Sequence, residues 1–191
     1  PDQMTQYYKL HLKMAAGAQF IVTQLGYNLR KLWELRQYMV REGLGHVPVI
    51  ANVYVTTATV AKMMRRGDIA GCVVPDELVT RLEGEKKPQR LGRAALLLAA
   101  ARGLGFAGAH IGGFGITHKD VMKMIDRSHE IGDEWRAKMD ELVFEYPDEF
   151  YLFRQGSDGL SDDSGPYLTG TIKSRKSLQQ RLSGAAHRAL G

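Results

Sequence analysis

The chain has 191 residues, 44% hydrophobic and 25% charged, a balance that suits one globular domain with a real core. Its net charge of +5 is local: residues 172–191 hold Lys173, Arg175, Lys176, Arg181 and Arg188 and no acid, which leaves 21 of the 26 basic residues to balance 21 acidic ones. The body is therefore not expected to bind nucleic acid. The lone cysteine, Cys72, excludes an internal disulfide and a cysteine-based metal cluster, and its apolar setting Gly-Cys-Val-Val-Pro predicts a buried thiol. A cytoplasmic location is the expectation. No apolar run approaches the roughly 20 residues of a membrane span, so no membrane partner is expected.

In chain order, Tyr7, Leu10, Met14 and Ala18 predict a helix over about 5–16, ended by Gly17. The run 20–26, Phe-Ile-Val-Thr-Gln-Leu-Gly, reads as a parallel strand buried on both faces. Asn28 is positioned to cap a helix over 29–42, with Leu29, Leu32, Trp33, Arg36 and Val40 along one face. Residues 46–55 read as a second buried strand, completing a right-handed strand–helix–strand crossover. A helix over 58–66 follows, then a strand fragment at 71–75, a helix opening at Pro75-Asp76-Glu77, and a polar turn at 83–88. Residues 90–103 form an apolar helix that must be largely covered. Phe106 to Ile111 reads as the last strand, leading into Gly112-Gly113-Phe114-Gly115. Thr117 and Asp120 form a capping box for a helix over 118–144. Beyond it, 151–153 reads as a short strand, 155–165 as a loop and 173–183 as a helix.

This order is α/β. Three strands are too few for a closed barrel of eight. Either the sheet is small and open, or these are the later units of a longer barrel. In such folds ligands meet the carboxyl ends of strands. Gln24 stands at one such end, and its amide can pair with a heterocycle offering donor and acceptor edges. Satisfying nearby backbone is its other reading. Gly112 and Gly113, followed by a helix start, can form an anion cradle. They can equally relieve crowding at a turn. The six histidines show no HxH or HxxxH spacing, so no metal site is expected. His110 reads as a hydrogen-bonded core residue. Asp126, Glu130, Asp133 and Glu134 read as a solvated face.

The stretch Lys13-Met14-Ala15-Ala16-Gly17-Ala18-Gln19-Phe20-Ile21-Val22-Thr23-Gln24 resembles the methylenetetrahydrofolate reductase family. Val47-Pro48-Val49-Ile50, Val74-Pro75-Asp76-Glu77-Leu78, Arg81-Leu82-Glu83, Gly92 to Ala100 and Ala109-His110-Ile111 continue the likeness in order. The resemblance implies the last three strands of a (β/α)8 TIM barrel, incomplete in this chain. Residues 1–146 would be the C-terminal part of that barrel, and 147–191 a C-terminal extension, loop-rich then basic. It implies FAD, NAD(P)H as reductant, and reduction of methylenetetrahydrofolate to methyltetrahydrofolate in one-carbon metabolism.

Under the resemblance, Lys13 matches a lysine that contacts FAD, and Lys9 stands where the family has a polar flavin contact. Gln24 matches a glutamine that touches the folate and nicotinamide substrates. Tyr27, Gly112 and Gly113 join it as expected substrate-binding residues. The chain departs from the family at Leu12, a flavin contact, at Ala61, a substrate-binding glutamine, and at Ile116, a substrate-binding arginine. Gly112-Gly113-Phe114-Gly115 replaces a Tyr-Thr-Leu-Asn segment. The catalytic carboxylates would lie before Pro1. These departures keep a second reading open: a divergent, non-reductase barrel that binds a folate-like or phosphate-bearing ligand, or a partner subunit. A homo-oligomer or a partner domain completing the barrel is compatible with either.

Overall fold

The computed structural model describes residues 3–168; the helix expected over 173–183 and the basic tail lie outside the described residues. Helix α1 (Gln3–Ala15) leads to β1 (Ile21–Val22), then α2 (Leu29–Arg41) and β2 (Val49–Val55). Three helices follow, α3 (Ala58–Arg66), α4 (Asp76–Gly84) and α5 (Lys87–Gly103). Then come β3 (Gly108–Gly113), α6 (His118–Ile131), a 3-10 helix (Gly132–Leu142) and a small hairpin of β4 (Arg154–Gln155) and β5 (Ser161–Asp162). The main sheet is parallel, in the order β1-β2-β3.

β2 alternates strictly. Val49, Ala51, Val53 and Val55 are buried, whereas Ile50, Asn52 and Tyr54 are only half-buried. The buried set packs with α2 and with Ala94–Ala101 of α5 in one core. On the opposite face α3 and α4 pack against Tyr54, at the end of the strand, and the stretch of Ile50 and Asn52 lies open. Phe20 is 59% and Val22 48% exposed there. The expectation of strands buried on both faces is thus corrected: β2 has neighbours on both edges and is fully buried on one side only, the other being half-buried and met by α3 and α4 at Tyr54.

Other boundaries differ for local reasons. The first strand ends at Val22, not Gly26, because the Thr23 hydroxyl accepts the Asn52 N–H at 3.0 Å in place of a ladder bond. Residues 71–75 form no strand. The last strand is shifted two residues later than Phe106–Ile111, since register with β2 runs from Ile50–Gly108 to Val55–Gly113. The predicted helix over 118–144 breaks at Gly132, whose φ of +47° no α-helix accommodates. Residues 151–153 form no strand; the hairpin lies just beyond them. Cys72 is half-buried rather than buried. Gly103 has a packing reason: a Cβ there would overlap the fully buried indole of Trp135. The Asn28 cap and the Thr117–Asp120 capping box form as expected.

The predicted face of α2 is also corrected. Val40 is exposed, and Arg30, Glu34 and Gln37 are buried. The cause is residues 144–168, which run along α2 from one end to the other. The Glu34 carboxylate, with no exposed surface, accepts from Leu152 N (2.7 Å), Phe153 N (3.2 Å), Tyr7 Oη (3.1 Å), Ser161 Oγ (3.4 Å) and Lys31 Nζ (2.6 Å). The Arg30 guanidinium lies 3.5 Å over the Tyr151 ring, and Arg41 donates to Gly165 O at 2.7 Å. Desolvation pulls the Lys31 amine below its usual range, and Glu34 opposes that shift.

Removing one member of a buried, hydrogen-bonded charge pair costs about 3–5 kcal/mol, because its partner stays buried and unpaired. Glu34→Leu is expected to lower the urea midpoint by that order and to expose residues 144–168 to limited proteolysis. Asn28→Ala, which removes a helix cap, is expected to cost about 1 kcal/mol. Equal midpoints for the two variants would contradict this ranking.

Candidate functional site

β1 and β2 deliver Gln24–Tyr27 and Thr56 to one end of the sheet, where α5 begins. A small cavity of about 30 Å³ lies between the end of β2 and α5. Tyr27, Tyr54, Thr56, Arg90 and Arg93 supply its polar wall, and Leu78, Leu97 and Phe144 are among its apolar neighbours. The Tyr27 hydroxyl is 2.5 Å from Thr56 Oγ1 and donates to Met64 Sδ at 3.6 Å. Burial pushes the Tyr27 phenol up to about 12, against the Thr56 hydrogen bond, so it stays neutral at physiological pH.

Beside the cavity runs the open face of the sheet, with three cross-strand ranks. A Cβ on Gly108 would sit 3.4 Å from Ile50 Cδ1, and one on Gly112 would sit 3.2 Å from Tyr54 Cδ2. Side chains of β2 thus lean over glycines of β3. In the middle rank His110 Nδ1 lies 3.3 Å from Asn52 Oδ1. His110 is exposed, which corrects the expectation of a core histidine. The period-two pattern Gly108-x-His110-x-Gly112 puts the imidazole on the half-buried side of the sheet, with Asn52.

The residues singled out in the sequence are only partly gathered. Tyr27 lines the cavity. Gln24 is exposed; its Oε1 accepts from Leu25 N at 3.0 Å, and its Nε2 lies over Gly71 in the loop between α3 and α4. Lys9 and Lys13 stand one turn apart on α1, both exposed, with no ion pair among the described residues. α1 leads into the start of β1, whereas Gln24 lies past its end, and no hydrogen bond joins them among the described residues. Gly112 and Gly113 lie within β3, so the turn shrinks to Phe114–Ile116. The start of α6 already holds a carboxylate: Thr117 N donates to Asp120 Oδ2 at 2.7 Å, and Lys87 Nζ approaches the same oxygen at 2.7 Å. Lys87 and Thr117 hold the Asp120 carboxyl well below the usual carboxylate range.

Thr56, Tyr54, Arg90 and Arg93 were not picked out in the sequence. The signal for the arginines was their three-residue spacing at the polar start of an otherwise apolar helix. That pattern alone does not say what they face. Among the described residues no group of three or more His, Cys, Asp or Glu is placed to hold a metal, and no helix is long and apolar enough to cross a membrane.

The family pattern of methylenetetrahydrofolate reductase matches residues 1–97, from α1 into α5. The chain belongs to the methylenetetrahydrofolate reductase family. None of the curated proteins matches it. Membership makes it oxidoreductase-like, in a family that is generally flavin-dependent, and a mixed α/β chain with a parallel sheet is compatible with the family's TIM barrel. The match takes in Lys9, Lys13, Gln24 and Tyr27 and stops before β3. Lys9 and Lys13 present two exposed ammonium groups one turn apart, a charge of the sign that suits phosphates.

The two strand glycines differ in tolerance. A Cβ on Gly112 meets only a ring edge, but one on Gly113 would sit 2.9 Å from Val55 Cβ and 3.0 Å from its carbonyl oxygen. Gly113→Ala is expected to cost about 1–3 kcal/mol in urea unfolding, and Gly112→Ala less. The reverse order would contradict the pairing of Val55 with Gly113.

Proposed function

We propose that this chain forms the later part of a flavin-dependent methylenetetrahydrofolate reductase, in which further strand–helix units cover the open face and complete a barrel. On this reading residues 1–146 belong to the barrel and 147–191 form an extension. Family membership carries the proposal, and the one-sided burial of β2 supports it. Parallel sheets are ordinarily covered on both faces, and this one leaves Phe20, Val22 and Ile50 uncovered or half-covered.

Lys9 and Lys13 would hold the phosphates of FAD. Bound flavin supplies hydride chemistry, with NAD(P)H as the reductant. The chain's own residues bind and orient. Gln24, exposed past the end of β1, would turn its amide to the edge of the pterin, since its present bond to Leu25 N is local and easily exchanged. Tyr27, Gly112 and Gly113 would line the substrate side. The location would be cytoplasmic.

The alternative is a divergent barrel that binds a folate-like or phosphate-bearing ligand, or a partner subunit, without reducing it. Ala61 and Ile116, which stand where the resemblance leads one to expect a glutamine and an arginine, favour that reading.

The full-length protein decides between them. Purified reductase is expected to be yellow, with flavin absorbance near about 450 nm, and to oxidise NAD(P)H when given methylenetetrahydrofolate. Gln24→Ala is expected to raise the folate KM by about tenfold, the loss of one to two hydrogen bonds, with flavin content unchanged. Colourless protein that ignores added FAD would favour the alternative, and an unaltered folate KM would remove Gln24 from the site.

A further inference from the structure

The proposed reductase role makes no use of His110 or Asn52. Both belong to a polar row on the half-buried face of the sheet. Val22 pairs with Ile50, and Thr23 N donates to Ile50 O at 3.0 Å. Burial keeps alternating past the end of β1: Ile21 packs on the core and Thr23 is buried, whereas Phe20, Val22 and Gln24 are exposed. The two-residue period therefore puts Gln24 beside Asn52, on the face where Val22 stands beside Ile50. Asn52 in turn pairs with His110. Neighbouring strands lie about 4.8 Å apart, so Gln24 and His110 flank Asn52 with about 10 Å between their Cα atoms. Val22 and Ile50 bound the row on one side, and Tyr54 bounds it on the other.

Each member of the row has one group engaged and one free. Gln24 Oε1 accepts from Leu25 N at 3.0 Å, which leaves the Nε2 donors. Asn52 Oδ1 accepts from His110 Nδ1 at 3.3 Å, which leaves Asn52 Nδ2 as a donor and Nε2 of the neutral imidazole as an acceptor. None of these three nitrogens has a hydrogen-bond partner among the described residues. From β1 to β3 the row thus reads donor, donor, acceptor. Its complement is a ring nitrogen, a carbonyl oxygen and an N–H in sequence. That is the cyclic amide edge that pterin and isoalloxazine rings share. The row is also open to a ring. His110 and Gln24 are exposed, and Gly108 and Gly112 bring no side chain of their own to either flank of the imidazole. Glycines inside a strand mark places where a ligand can come close to the sheet.

We propose that His110, with Asn52 and Gln24, holds the cyclic amide edge of a flat heterocyclic ligand. Nε2 of His110 accepts the ring N–H, and the amide nitrogens of Asn52 and Gln24 donate to the carbonyl oxygen and the ring nitrogen beside it. Naming that heterocycle a pterin or a flavin rests on the function proposed above; the row and its order of donors and acceptor do not.

The experiment uses the full-length protein and two pairs of probes: 6,7-dimethylpterin and riboflavin, each beside its N3-methyl derivative, in which the ring N–H is blocked. The pterin pair is tested on the protein as purified, and the riboflavin pair after removal of any bound flavin. Binding is read by calorimetry for wild type, His110→Ala and His110→Gln. Wild type is expected to prefer the N–H form of one pair by about tenfold, as for one hydrogen bond whose loss leaves an acceptor unpaired. His110→Ala is expected to lose that preference, and His110→Gln, whose side-chain carbonyl can stand in for Nε2, to keep most of it. A preference lost with the pterin pair places substrate on the row, and one lost with the riboflavin pair places the flavin there. No preference by wild type in either pair overturns the proposal, as does an equal preference in wild type and His110→Ala.

The same samples separate this inference from the reductase reading. A preference that depends on His110, in a protein that does not oxidise NAD(P)H with methylenetetrahydrofolate, keeps the row and removes the reductase. Turnover by a yellow protein whose preference ignores position 110 keeps the reductase and overturns the row. Should His110→Ala fail to fold, His110→Val carries the same comparison, because it suits a strand and offers no acceptor: a wild-type-like preference there overturns the proposal.

Discussion

The one-sided burial of β2 is the constraint from which the rest of the arrangement follows. A parallel strand in the middle of a sheet has two faces to satisfy, and here Val49, Ala51, Val53 and Val55 satisfy one of them against α2 and α5. The other face carries Ile50, Asn52 and Tyr54, half-buried residues of mixed character, with α3 and α4 packed against Tyr54 at its end. Their partners on β3 are glycine, histidine and glycine. That side is therefore shallow and partly polar in its middle. The core fixes the direction of every strand, and so fixes which end of the sheet carries Tyr27, Thr56 and the start of α5.

Glu34 makes a second, separate demand. A carboxylate with no exposed surface is costly unless nearly all its lone pairs are used. Two of its five donors come from the backbone of Leu152 and Phe153, and one from Ser161. Residues 144–168 are thus not a loose appendage. It completes the coordination of a charge that α2 alone would leave stranded. The same segment places Phe144 against Tyr27, where Phe144 N donates to Tyr27 O at 3.2 Å. The clasp on α2 and the cavity at the strand ends therefore share a boundary. Loosening Glu34 should be felt at Tyr27 through that short connection.

Helix positions were legible in the sequence because their signals are local. Asn28, Thr57 and the Thr117–Asp120 box sit where their caps form, and Gly67 closes α3 with a φ of +84°. What stayed hidden depends on residues far apart in the chain. Val22 ends β1 because a side chain on Thr23 captures the N–H of Asn52, twenty-nine positions away. The burial of Arg30, Glu34 and Gln37 is decided by residues beyond 144. His110 looked like a core residue because its neighbours are apolar or small, and only the absence of a covering layer exposes it. The site followed the same rule. Tyr27 could be named from its place after a strand, whereas Arg90 and Arg93 lie sixty-odd residues later, on a helix whose composition pointed to packing.

The contrast between the two ends of α5 bears on how such a site can persist. Its later turns are mostly alanine and leucine, buried in the core with β2 and α6, and Arg102 near its end donates to Ser128 Oγ at 2.8 Å. Its first turns hold Arg90 and Arg93 beside Glu85, and there Arg90 Nε and Glu85 Oε2 are buried without the hydrogen-bond partners that burial ordinarily demands. The apolar length anchors the helix strongly enough to hold an under-satisfied start in place. Were α5 polar along its whole length, Arg90 could swing to solvent, and the cavity would lose the guanidinium that faces it without a counter-ion.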